Sequence, residues 1–175
     1  MAPPTTTYNL FFTGKDDPRN WVIIGDDVKP VIFCFETQEP RAGVVSSVRT
    51  LVYRNEREHV ASFDWTPGNH LGRATIGTRQ LPMSHLVTTT PTSNARGFIS
   101  ADGHRYEWRP CRDAQSSYDL YAPGNRRIGI FSRYAQATPV GPAHGMLQYT
   151  FVQDMLLLES ILALSVNRWI DLHGY

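Results

Sequence analysis

Arginine is the residue type that could give this chain a binding chemistry. The sequence holds 15 Arg against only Lys15 and Lys29. A guanidinium holds carboxylates and phosphates through a planar fork of donors, whereas an ammonium acts as a point charge. Four arginines lie on two predicted hairpins: Arg105, Arg109, Arg126 and Arg127. If the hairpins pair, these side chains could converge on an anion such as a lipid phosphate. The alternative is a solvated exterior neutralised by Glu107, Asp113 and Asp119.

The other residues able to do chemistry form no recognisable catalytic or metal-binding set. The six histidines stand at no metal-ligand spacing, and Cys34 and Cys111 lie far apart. Asp16-Asp17 and Asp26-Asp27 could offer oxygens to a hard cation, but they lack the spacing of a calcium loop and are better explained as turns. No serine or cysteine stands in a nucleophile-elbow or Cys-His signature. We therefore predict no catalytic residue, no metal site and no cofactor.

Composition limits the compartment and the partners. A formal net charge of +1 argues against a nucleic-acid-binding protein, which usually carries a strong basic excess. The first residues show no basic segment followed by an apolar one, so we expect no secretory signal. Two distant cysteines are typical of reduced thiols. The expected compartment is the cytoplasm, with a processed secreted form as the alternative.

The last apolar run, Asp154 to Leu172, predicts a helix, with the Asp154 carboxylate as its N-cap. Its polar members scatter around the helical circumference and form no wet face, which is typical of a helix surrounded by protein. Three charged residues interrupt the run, namely Glu159, Arg168 and Asp171. A bilayer requires about 20 apolar residues, so we predict a core helix and no transmembrane span.

The chain before this helix is mostly strand-like. Short β-branched and aromatic runs alternate with Gly and Pro turns, a pattern typical of a sandwich or barrel. Asp102-Gly103 lies between two such runs and predicts a hairpin, and Pro123-Gly124-Asn125 predicts a second one. In the strand after Asp102-Gly103, His104, Tyr106 and Trp108 are predicted to share one face, and the polar stretch Thr88 to Asn94 is expected to be a loop. Residues 1–5 are expected to be a loose leader. The length suits one domain spanning 1–175, and we predict a mainly β chain forming a barrel around the core helix.

The second half also carries a resemblance. It runs Arg96-Gly-Phe, then Asp102-Gly103-x-x-Tyr106-x-Trp108, then Arg127-Ile-Gly-Ile-Phe131, then Gly145-Met-Leu and the apolar helix. This order resembles a family of uncharacterised fungal domains grouped with the tubby C-terminal-like superfamily, which includes LURP-one-related and scramblase-like proteins. The resemblance implies a closed barrel of about twelve antiparallel strands around a central hydrophobic C-terminal helix. Tubby-like domains are associated with phosphoinositide binding, and no enzyme activity is implied.

Two function hypotheses follow. The first is a non-enzymatic binding module that docks to a protein partner or to an anionic phospholipid surface, for instance as a non-catalytic subunit of a larger complex. The second is a small hydrolase or lipid-modifying enzyme whose site is assembled from distant strands. Strand-borne catalytic residues can converge from remote positions, so sequence spacing leaves the second hypothesis open.

Overall fold

The fold is seen in a computed structural model that describes residues 2–25, 31–39, 48–91 and 93–174. The predicted turn at Asp26-Asp27 lies outside these residues. Residues 2–7, which include most of the predicted leader, have no regular secondary structure. The strands are β1 Tyr8–Thr13, β2 Val22–Gly25, β3 Val31–Gln38, β4 Arg49–Arg54, β5 Glu58–Thr66, β6 His70–Ile76, β7 Arg79–Pro82, β8 Thr88–Thr90, β9 Ser93–Ile99, β10 Arg105–Pro110, β11 Tyr118–Ala122, β12 Arg126–Thr138 and β13 Gly141–Tyr149. A 3₁₀ helix spans Met83–Leu86, and the α-helix α1 spans Asp154–His173.

The strands of the described residues form one antiparallel sheet of 13 strands. Strands that follow one another in the chain pair with each other, except β7 and β8, and β1 also pairs with β13, so the first and last strands lie side by side in the middle of the sheet. The two outer strands are β7 and β8. They follow one another in the chain and are joined through the 3₁₀ helix.

The prediction of a closed barrel of about twelve strands is wrong. Among the described residues β7 pairs only with β6, and β8 only with β9, so the sheet ends at these two strands. Both are short, at 4 and 3 residues. Pro82 within β7 lacks the N–H needed to extend a ladder. The sheet is therefore open along one line, which we call the seam.

The predicted hairpins are confirmed. Ile99 pairs with Arg105 across Asp102-Gly103, where Gly103 has φ +84°. The alternation in β10 also holds for Tyr106 and Trp108, which are buried, while Arg105, Glu107 and Arg109 on the other face are partly exposed. The polar stretch Thr88 to Asn94, in contrast, was expected to be a loop, and it contains β8 and the start of β9.

Helix α1 lies at the centre of the curved sheet. Residues 158–170 are all buried, which is more than three turns, so every face of the helix is covered. The helix ends at Gly174, whose left-handed backbone (φ 72°) closes the last turn. The N-cap residue is Gln153, without a side-chain cap, so the prediction of Asp154 as the N-cap is wrong. Among the described residues, no helix combines the length and the apolarity needed to cross a membrane.

The scattered polar residues of α1 are explained by the strands and loops that surround it. Ser165 Oγ donates to the Pro18 carbonyl at 2.6 Å, and Arg168 donates to Asp16 at 3.2 Å. The Asn167 side-chain amide donates to the Ala163 carbonyl, one turn earlier in the helix. Most buried polar groups in proteins have such a partner, and here Ser165 and Arg168 find theirs in the segment between β1 and β2, which packs against the helix.

Candidate functional site

Three of the four predicted anion-binding arginines lie on the outer face of β10 to β12. Arg105 crosses over Gly97, where no side chain stands in its way, and donates to the Thr88 hydroxyl at 3.0 Å. A Cβ at Gly97 would lie 2.5 Å from the Arg105 guanidinium carbon, so this crossing needs glycine. Arg105 is therefore engaged in holding the outer strand β8.

Arg109 and Arg127 lie on the same outer face and are accompanied by acids. Arg109 donates to Glu107 at 2.8 Å and lies 3.7 Å from the centre of the Tyr121 ring. Arg127 is 3.8 Å from Asp119 and keeps about half of its side chain exposed. Two carboxylates thus counter most of the charge of three arginines, which weakens the attraction of this face for a further anion.

Arg126 does not join this group. Successive strand residues point to opposite faces, so Arg126 and Arg127 cannot share one. Arg126 lines a cleft with Tyr106, Phe151 and Leu156 at the end of the sheet where α1 begins. The structure therefore brings Arg105, Arg109 and Arg127 to one face and separates Arg126 from them.

The seam forms a cleft of about 370 Å³ that sequence reasoning missed. It is lined by residues from both outer strands, the 3₁₀ helix and the end of β9: Arg79, Gln80, Leu81, His85, Thr88 and Ile99. Ile99 is 54% exposed, which is high for a large apolar side chain in a strand. The cleft therefore combines an apolar wall with two strand edges that pair with no further strand of the described residues.

The inner side of the cleft is fixed by an ion pair with the core helix. Arg79 on β7 pairs with Ile76 on β6. Because the Ile76 side chain is buried, Arg79 faces inward too, where it donates to Glu159 at 3.0 Å. Glu159 is fully buried and also accepts from Ser100 Oγ at 2.8 Å and from the Ala101 N–H at 3.2 Å. Arg79 remains 41% exposed. One end of this guanidinium is thus held by the core while the other reaches the cleft.

Among the described residues, one backbone donor of β7 points toward the seam without a partner. Gly77 and Thr78 form a two-residue hairpin turn with Gly77 at φ +61°, and the pairing is Ile76↔Arg79 and Thr75↔Gln80. In such a hairpin the residues flanking the turn exchange hydrogen bonds, and the next pair does not. The Gln80 N–H and C=O therefore point away from β6, toward the seam. Pro82 has no N–H, so Gln80 supplies the single outward donor of this strand.

The groups with shifted pKa values lie away from the seam cleft. His144 has Nδ1 3.6 Å from Asp16, and its pKa is lowered by burial and by Arg168 and Arg133, so the imidazole is neutral near pH 7. Burial raises the pKa of both cysteine thiols, the first with help from Glu36. Both thiols are free. A raised thiol pKa disfavours the reactive thiolate. Within the described residues, no three His, Cys, Asp or Glu side chains cluster as a metal site would require.

Comparison with known proteins gives the family and no function. A model of the family of unknown function DUF6593 matches residues 16–163, which is most of the chain. The chain, an open antiparallel sheet curved around a C-terminal helix, thus belongs to the DUF6593 family. It matches no curated protein sequence and no solved structure. The resemblance to tubby-like domains stays a prediction.

Proposed function

We propose that this protein is a non-catalytic binding module that receives an extended segment of a partner protein at the seam. The observation that supports the proposal is that both outer strands of one sheet border the same cleft. An unpaired strand edge is a template for another strand, and addition of a peptide strand to such an edge is a common mode of recognition. The module would suit a non-catalytic subunit of a larger complex.

The composition of the cleft supports a peptide more than a small molecule. The Gln80 N–H and C=O can pair with the backbone of any extended segment, whatever its side chains. Ile99 and Leu81 offer apolar surface for one side chain of that segment. Pro82 limits the outward ladder of β7 to a short stretch, which fixes the position of the bound strand and protects the edge against unspecific pairing.

Binding to an anionic lipid surface is the weaker form of the proposal. The arginines that would bind the lipid are divided between two places. Three lie on an outer face whose charge is countered by Glu107 and Asp119, and Arg126 lies in a separate cleft. The enzyme hypothesis has less support. His144 is within ion-pair distance of Asp16, at 3.6 Å, but neither residue lines the seam cleft.

The test is a selection of binding peptides followed by a change at one backbone donor. A display library of random linear peptides is selected on the full chain, and the affinity of selected peptides is measured by isothermal titration calorimetry. The measurement is repeated with Gln80→Pro, which removes the outward N–H, and with Gln80→Ala, which removes the side chain and keeps the N–H. Proline is tolerated at an edge position whose N–H points out of the sheet, so both variants should fold.

We expect Gln80→Pro to weaken binding by about fivefold to tenfold and Gln80→Ala to leave it nearly unchanged. One hydrogen bond is worth about 1 kcal/mol net, and the proline ring also blocks close approach of the added strand. Equal loss in both variants would mean that the side chain, and not the strand edge, is recognised. Enrichment of no peptide, or of peptides that bind Gln80→Pro as tightly, would contradict the proposal.

A further inference from the structure

A further cleft lies at the mouth of the curved sheet, at the opposite end of α1 from Gly174. It has a volume of about 250 Å³. Its lining comes from the first and last strands and from the start of the helix: Tyr8, Tyr149, Phe151, Val152, Gln153, Asp154 and Leu157. It shares no residue with the seam cleft. Three of the seven side chains are aromatic and one is a carboxylate.

The three aromatic rings form a continuous group because of strand register. Tyr8 on β1 pairs directly with Tyr149 on β13, and their ring centres are 5.4 Å apart. The Phe151 ring follows at 5.1 Å from Tyr149, tilted by 52°. Tyr8 is 37% exposed, so the group is open to solvent on one side. Rings at different tilts around one cleft offer several π faces to a single ligand.

Asp154 is the charged side chain among the seven that line this cleft, and the cleft of Arg126 adjoins it through Phe151, Val152 and Gln153. Asp154 is exposed at its rim, and among the described residues no cation lies within ion-pair distance of its carboxylate. Arg54, at a neighbouring cleft that shares Asp154 and Leu157, is held by Glu58 at 2.9 Å. Burial, Tyr8 and Asp154 together raise the pKa of Tyr149, so its hydroxyl stays protonated at neutral pH. Apolar walls at Val152 and Leu157 complete the lining.

We infer that this aromatic cleft binds an alkylammonium group, such as a quaternary or methylated ammonium. Aromatic faces attract a cation through the ring quadrupole, and methyl groups on the nitrogen suit apolar walls better than a hydrated ammonium does. Asp154 adds a complementary charge at the rim. This chemistry occurs on a methylated lysine side chain and on a choline headgroup, and both carry the same recognised group.

The experiment compares two probes of nearly identical shape. Choline and its neutral isostere 3,3-dimethylbutan-1-ol are titrated into the isotopically labelled full chain and followed by NMR. We expect choline to give saturable shifts at residues 8, 149 and 151–154 and to bind about tenfold more tightly than the isostere, because only the cation gains from the π faces and the carboxylate. Separate titrations with N-acetyl-trimethyllysine amide and with phosphocholine then distinguish the two sources.

Two variants keep the inference testable if one of them disturbs the fold. Tyr149→Leu should abolish choline binding. Asp154→Asn, at an exposed position, should weaken it by about threefold to fivefold while leaving the isostere unaffected. Asp113→Asn removes a charge that is also exposed, from the loop after β10, and should change nothing. Equal affinity for choline and the isostere would mean that the cleft recognises only apolar surface and not the positive charge, which would contradict the inference. Absence of saturable shifts at millimolar choline would overturn the inference.

Discussion

Replacing Arg79 by alanine tests the link between the seam and the core helix. The substitution leaves the Glu159 carboxylate fully buried without a cation, although Ser100 and Ala101 still donate to it. Breaking one side of a buried ion pair costs about 3–5 kcal/mol. Because Arg79 is 41% exposed, its end of the pair is screened by water, and we expect a loss of about 2–3 kcal/mol. For a chain of this size, that lowers the Tm by roughly 4–12 °C.

The assay is thermal unfolding followed by circular dichroism, with two companion variants. Arg73→Ala removes an exposed arginine from the adjacent strand, where it donates to the Gln80 side chain at 3.2 Å, and should cost less than about 0.5 kcal/mol. Adding Glu159→Gln to Arg79→Ala removes the unpaired charge and should recover most of the loss. If Arg79→Ala and Arg73→Ala melt at the same temperature, the ion pair between Arg79 and the buried Glu159 carboxylate does not stabilise the fold.

Three further outcomes are expected. Leu162→Asp places a charge at a fully buried position of α1 and should prevent soluble folding, so a cooperatively melting Leu162→Asp protein would contradict the central position of the helix. Because the folded state lowers the pKa of His144, stability is greatest above the unfolded histidine pKa near 6.5 and falls as pH drops below it. His144→Gln should flatten that decline in denaturant titrations between about pH 7 and 5, and an unchanged slope would exclude His144 as its source. Replacing Arg126 and Arg127 together by Gln should change vesicle co-sedimentation little, since the two side chains lie on different faces of the sheet. A large, salt-sensitive loss of binding to anionic vesicles would instead support the lipid form of the proposal.

Local patterns predicted the parts of the fold that depend on neighbouring residues. The hairpin at Asp102-Gly103 and the buried alternation of Tyr106 and Trp108 follow from turn chemistry and period-two spacing. The helix was predicted from Asp154 to Leu172 and ends one residue later, at His173, because its run of apolar helix-forming residues is itself a local signal. Each of these signals is contained in a segment of no more than about 20 residues, which is the range that pattern reasoning covers.

The seam could not be predicted in this way. Closure of a sheet depends on whether its two outer strands meet, and β8 is a run of three threonines that resembles a polar loop. The Arg79–Glu159 pair joins residues 80 positions apart, so no local pattern indicates it. The division of Arg126 from Arg127, in contrast, was available from the sequence, because adjacent residues in a strand face opposite sides.

Site-resolved amide hydrogen exchange at β7 tests the open seam most directly. In the free protein the N–H groups of Arg79 and Leu81 bond to β6 and should exchange slowly, while the Gln80 N–H faces the seam and should exchange rapidly. A peptide selected on the full chain should then slow exchange at Gln80 specifically. Slow exchange at Gln80 in the free protein would mean that β7 already has a partner on its outer side and that the sheet is closed at the seam.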